Sequence, residues 1–336
     1  MTDYRGIFGK AFSNIAPAAS EEAAVREIFE KGRTMNNKKT SSKRIITAAV
    51  AATAALSISG AAFAAANGWD IASAFAQMFS SRAESSELGS HSLEVDLQQY
   101  AQPLDIVQEY ERFTLHITGI AADKFSAYML YDLTFHEDIP TDGDWRKFVQ
   151  FSVDGKPMAA SGADGVLSQE GNTLYCYAAW LFDGEQIGSL AGRTLNVAIK
   201  DITHYYSTED AVSYLNADTD ISTDIPVDFE IIDSGICIEP NAPMTIYNRE
   251  CTLTKLELTP FSIWYSIEGL EPEMSGSDDY MSISYTYTNG EQSGNHGCIS
   301  SRYVGEERIV SALFGYPVAF EEIESVTIGD TVIPLK

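Results

Sequence analysis

Phe113-Thr114-Leu115-His116-Ile117-Thr118-Gly119-Ile120 and, close behind it, Phe125-Ser126-Ala127-Tyr128-Met129-Leu130-Tyr131-Asp132-Leu133-Thr134-Phe135 carry an apolar side chain at nearly every second position. Successive side chains of a strand point to opposite faces, so this spacing is the mark of a strand with one face in a core. Working outward, further runs of the same kind are Phe148 to Val153, Leu174 to Phe182 and Leu195 to Ile202. They continue with Val227 to Ile232, Met244 to Tyr247, Leu253 to Leu258, Phe261 to Ile267, Tyr280 to Tyr287, Ile309 to Phe314 and Ser325 to Ile333. Asp154-Gly155, Asp183-Gly184, Asn289-Gly290 and Gly329-Asp330 punctuate them as tight turns. Many short strands without alternating helices predict a mainly β protein of antiparallel, Ig-like sandwich architecture rather than a parallel α/β sheet.

The phrase repeats. Phe113-Thr114-Leu115 finds its match in Cys251-Thr252-Leu253, with Ile120 opposite Leu258 in the same register, and after a two-residue gap Phe125-Ser126-Ala127-Tyr128 matches Phe261-Ser262-Ile263-Trp264. A repeat spaced this widely signals domain duplication and not a solenoid. Two tandem β-sandwich domains are expected over 106–224 and 225–336, each of the usual size for one core. The join falls in Ser207 to Pro226, rich in Ser, Thr, Asn and Asp.

Upstream, Ile45 to Ala66 is a stretch of 22 residues without charge. As a helix it spans about 33 Å, enough for a hydrocarbon core of ~30 Å. Half of it is Ala, and its strong apolar residues contribute only about −2 to −4 kcal/mol toward insertion. It divides the charge. Residues 1–44 hold nine Lys/Arg and five Asp/Glu, whereas 67–336 hold thirteen against 43, within a net charge of −26. Lys38-Lys39 and Lys43-Arg44 before the span follow the positive-inside pattern. The expectation is a retained single-pass anchor at the cell membrane, N-terminus cytoplasmic and C-terminus extracellular. The alternative is a long secretory leader cleaved at Ala62-Phe63-Ala64 or Ala64-Ala65-Ala66, both small-x-small. Either way the chain from Asn67 onward is exported.

Residues 1–44 read as short helices and a basic tether. Ile7, Phe8, Ala11 and Phe12 make one apolar stripe, and Ala24, Val25, Ile28 and Phe29 make a second behind a Ser20 cap with Glu21 and Glu22 in the first turn. Helices this short need cover for their apolar faces. Phe8, Phe12, Ile28 and Phe29 are therefore the candidate partner-binding residues, the alternative being that the two helices pack on each other or on the membrane surface. Between span and sandwiches, 67–105 is expected to hold a juxtamembrane helix and linker. Asn67-Gly68-Trp69-Asp70 marks a helix boundary, and Ile71, Phe75, Met78 and Phe79 share a helical face expected to dock on the first outer domain in preference to lipid. Ser80 to Ser92 reads as linker.

No G-x-S-x-G, H-E-x-x-H or Walker pattern occurs, and the histidines His91, His116, His136, His204 and His296 are well separated. His116, inside an alternating strand, reads as structural. Asp218, Asp220, Asp224 and Asp228 lack the Gly and Glu of an EF-hand loop and read as a solvated linker, with a weak Ca²⁺ site as the alternative. Cys176, Cys237, Cys251 and Cys298 allow three disulfide pairings and form no C-x-x-C, so zinc and redox chemistry are not expected, and Cys176 reads as a small buried hydrophobe. No catalytic residue, metal site or cofactor is assigned, and no enzyme activity is expected. The acidic field argues against nucleic acid.

The span ending Ala62-Phe63-Ala64-Ala65-Ala66-Asn67-Gly68-Trp69-Asp70, the phrase from Phe113 to Tyr128 and the closing Val326-Thr327-Ile328-Gly329-Asp330 to Ile333-Pro334 together resemble the bacterial single-span proteins of domain of unknown function family 4179, described as anti-sigma-factor-like. What the resemblance implies is a cytosolic segment that holds a sigma factor of RNA polymerase and an ectodomain that senses an unknown extracellular ligand or protein. The expectation is thus a membrane-anchored regulator and sensor. The alternative is a secreted or surface-tethered binding module.

Overall fold

The computed structural model describes residues 70–84, 95–156, 159–182, 184–205, 211–215, 221–226, 235–246, 249–270, 283–294 and 299–336. Residues 1–44, the apolar stretch 45–66, the run from Val227 to Ile232 and Cys298 lie outside them. Among the described residues no helix is long and apolar enough to cross a membrane.

The protein is mainly β, in several antiparallel sheets, after one helix α1 (Ile71–Glu84). A first β half holds β1 (Ala101–Glu109), β2 (Phe113–Ala122), β3 (Ser126–Phe135), β4 (Asp144–Val153), β5 (Ala159–Glu170), β6 (Thr173–Phe182), β7 (Thr194–Tyr205), β8 (Ala211–Leu215) and β9 (Ile221–Pro226). A second holds β10 (Ile236–Ile238), β11 (Ala242–Ile246), β12 (Arg249–Leu258), β13 (Ser262–Glu268), β14 (Ile283–Tyr287), β15 (Gln292–Ser293), β16 (Ile299–Val304), β17 (Glu307–Leu313), β18 (Ile323–Ile328) and β19 (Thr331–Pro334).

In the first half a sheet ordered β1-β2-β3-β6-β5 and another ordered β4-β7-β8, with β9 also on β7, bury one apolar cluster that includes Leu115, Ile117, Met129, Phe151, Val197 and Trp180. In the second, β10-β12-β13-β17-β16, with β11 on β12, and β15-β14-β18-β19 bury another that includes Leu253, Leu256, Tyr265, Ile283, Phe314 and Val326. The strand order of the larger sheet is the same in both halves. The resemblance reaches single atoms. Thr118 is the bulge residue of β2 and Thr254 that of β12. Thr118 Oγ1 donates to the Leu130 carbonyl at 3.1 Å, and Thr254 Oγ1 to that of Ser266 at 3.2 Å. At the sheet end, Phe182 N donates to Phe125 O and Phe314 N to Phe261 O.

These pairs correct the alignment read from the sequence. Thr118 with Thr254, Leu130 with Ser266 and Phe125 with Phe261 all share one offset along the chain. Leu115 therefore corresponds to Cys251 and Ile117 to Leu253, two positions from the expected match. A slip of two leaves every side chain on its original face, so alternation alone does not detect it.

Other differences have local causes. The expected join, Ser207 to Pro226, contains β8 and β9, both paired with β7, and Asp224 lies opposite Asn196 instead of in a loop. Helix α1 runs to Glu84, into the expected linker, and Ser80 Oγ donates to the Ala76 carbonyl at 2.8 Å, which satisfies the hydroxyl inside the helix. The run Ser325 to Ile333 folds back as β18 and β19 around Gly329-Asp330, with Gly329 at φ +59°. Cys176, Cys237 and Cys251 are free thiols, with Cys176 in the first core as expected.

Candidate functional site

Helix α1 is fastened at its start by Asp70. One carboxylate oxygen accepts from Ala72 N at 3.2 Å, and the other accepts from Gln98 Nε2 at 2.9 Å, tying the helix to the turn Leu97–Gln99. The face read from the sequence, Ile71, Phe75, Met78 and Phe79, is buried. It covers the outer side of the first half's larger sheet, where Ala121, Tyr128, Leu130, Ala179 and Leu181 point away from the first core. Phe261, Leu313 and Tyr316 of the second half join the same cluster. The helix thus docks on the first β half, as expected, and also touches the second, which was not. Gly119 permits the close approach, because a Cβ there would stand 2.4 Å from Ile71 Cδ1.

Four rings hold this junction. Phe79 meets Tyr128 edge-on at 4.9 Å and stacks on Phe261 at 5.9 Å, while Tyr100 meets Phe261 edge-on at 5.5 Å. The Tyr128 hydroxyl donates to the Phe314 carbonyl, crossing between halves. Burial of each such ring contributes about 1.5–3 kcal/mol.

Beside the rings lies Asp123, fully buried in the turn between β2 and β3. Its Oδ1 accepts from Phe125 N, Ser126 N and Ser126 Oγ at 2.7–2.9 Å. Its Oδ2 accepts from Thr259 Oγ1 at 2.6 Å and Phe261 N at 3.0 Å, both in the second half. Burial pushes its pKa up, while the hydrogen bonds from Ser126, Thr259, Phe125 and Phe261 pull against that rise. Thr259 is the counterpart of Asp123 in the second half, where it holds the equivalent turn and accepts from Ser262 N at 3.1 Å. At the rim, Lys124 Nζ lies 2.7 Å from Glu257, which also has Lys255 at 3.6 Å.

On β2, His116 stands between Asp105 at 3.1 Å and Asp132 at 3.2 Å. The Asp132 carboxylate beside the ring raises its pKa most, against burial, which lowers it. Its ring partners are two carboxylates, in keeping with a structural pair.

The candidate partner-binding residues Phe8, Phe12, Ile28 and Phe29 lie outside the described residues, as do Asp218, Asp220 and Asp228. Among the described residues no group of three or more His, Cys, Asp or Glu is placed to hold a metal. Asp123 escaped the sequence reading. Its signal was present in the repeated turn phrase, Asp123-Lys124-Phe125-Ser126 against Thr259-Pro260-Phe261-Ser262, a short oxygen acceptor two residues before an aromatic.

These features define a class: a mainly antiparallel β protein whose two halves meet over a buried carboxylate under a docked helix. No family model and no curated protein matches the chain. Among solved structures it is similar to the crystal structure of the conserved domain protein from Bacillus anthracis, at 11% identity and a TM-score of 0.48, over 71% of this chain and 80% of that one.

Proposed function

We propose that the chain is a single-pass, membrane-anchored regulator. Its exported part is a pair of tandem Ig-like β-sandwiches that senses an extracellular ligand or protein, and residues 1–44 bind a cytosolic partner through Phe8, Phe12, Ile28 and Phe29. The resemblance to family 4179 makes that partner a sigma factor. The supporting observation is the position of α1, which begins five residues after Ala66 and buries its apolar face where the two β halves meet. A ligand that shifts one half against the other then works directly on the helix next to the span. A differential affinity of the ligand for the two arrangements is what would drive the signal. The weakly apolar span with Gly60 suits regulated cleavage.

Protease shaving of intact cells tests this reading. An N-terminal tag should be protected and a C-terminal tag digested, and residues 1–44 should capture a sigma factor. Full-length, unprocessed chain in the soluble fraction would overturn the proposal. The second reading, a secreted or surface-tethered module, rests on the two small-x-small sites. It predicts a mature N-terminus between Ala65 and Asn67, read by mass analysis.

A further inference from the structure

The first β half has an open side where β4, outermost in one sheet, runs beside β5, outermost in the other. On β4 the inward positions are Lys147, Val149, Phe151 and Val153, so a lysine occupies a core phase. Its side chain is 1% exposed, and Nζ has no hydrogen-bond partner. The nearest carboxylate is Asp164 of β5, with Oδ1 at 3.4 Å and a side chain 27% exposed. An ion pair drawn this far from water and held by one loose contact is poorly satisfied as an ion pair.

We propose that Lys147 and Asp164 are joined by an intramolecular isopeptide bond that staples the two sheets of the first half together. The reaction balances within the pair. The ammonium of Lys147 gives a proton to the Asp164 carboxylate, and the freed amine attacks Cγ. The new C–N bond forms as the C–O bond to the protonated oxygen breaks, and one water leaves with the second amine proton. No oxidant, reductant or cofactor takes part. Burial raises the Asp164 pKa and so favours the protonated acid that the step needs, while Lys147 pulls the other way. A cleft of about 400 Å³ bordered by Asp164, Phe151 and Trp180 gives the water a way out. The bond would close a loop of the unfolded chain as a disulfide does, in a protein whose described cysteines are free. It is independent of the regulatory reading above.

The test is mass analysis of the full-length chain after digestion. The expected result is one branched peptide carrying both Lys147 and Asp164, lighter than its two linear parts by one water. Asp164→Asn lacks the carboxylate that takes the Lys147 proton and should give linear peptides only. Lys147→Met should give linear peptides only. Linear peptides from the wild type would overturn the proposal.

Discussion

The outer faces of the two larger sheets occupy the same place in the same strand order and are covered differently. Tyr128, Leu130 and Ala179 on the first correspond to Trp264, Ser266 and Ser311 on the second. The first face is apolar and carries α1. The second is hydroxyl-rich, and its Trp264 ring lies 4.6 Å from Lys255 Nζ. The inner faces, by contrast, keep the same alternation and the same threonine at the bulge. The comparison teaches that the core pattern is set by the strand period, while each outer face is free to acquire its own cover. An apolar outer face calls for a helix, whereas the hydroxyl-rich second face sets an amine beside its buried Trp264 ring.

The largest expected effect lies where the halves meet. Asp123→Ala would leave the Phe125, Ser126 and Phe261 amides and two hydroxyls without their acceptor, at about 1–3 kcal/mol each before relaxation. A loss of about 5 kcal/mol or more in urea unfolding is expected, with Thr259→Ala losing less. A near-neutral Asp123→Ala would show that the two halves are not joined through this carboxylate. Next, Phe79→Ala should cost about 3–5 kcal/mol, whereas Lys255→Ala should cost about 0.5–1 kcal/mol. Equal losses would erase the contrast between the two covers.

The smallest effect is a pH dependence confined to the first half. The folded pKa of His116 is raised above the ordinary 6.5. Its charged pair with Asp132 therefore stabilises fully below about 6.5 and is lost as pH climbs through the raised value. The urea midpoint of wild type should exceed that of His116→Gln most at pH ~6, and the gap should narrow at higher pH. A gap that widens with pH would mean that the imidazole is buried neutral.

Much of the fold could be read from the chain. The strands with strong alternation, β2, β3, β6, β7, β12, β13 and β17, lie where the apolar period puts them, within a few residues at their ends. Edge strands were harder. β5, with Gly162 and Gly165, and the short β8, β9, β10 and β15 carry too few apolar residues in alternation to show a two-residue period in the sequence. The docking face of α1 was legible because Ile71, Phe75, Met78 and Phe79 follow the helical repeat. Lys147 was legible in principle, as a charge in the apolar phase of Phe148 to Val153, but its partner on another strand was not.

What the chain determined by itself was local: strand or helix, which side chains share a face, and how charge divides about the apolar stretch. Backbone geometry sets those periods over a few residues, whatever the rest of the molecule does. Tertiary structure alone decided that α1 covers the first half and also meets Phe261, and that the repeat aligns Leu115 with Cys251. It also decided that Asp123 finds Thr259 and that Lys147 lies against Asp164. Each of these joins positions far apart in the chain, and a two-residue shift or a different neighbour would leave every local pattern unchanged.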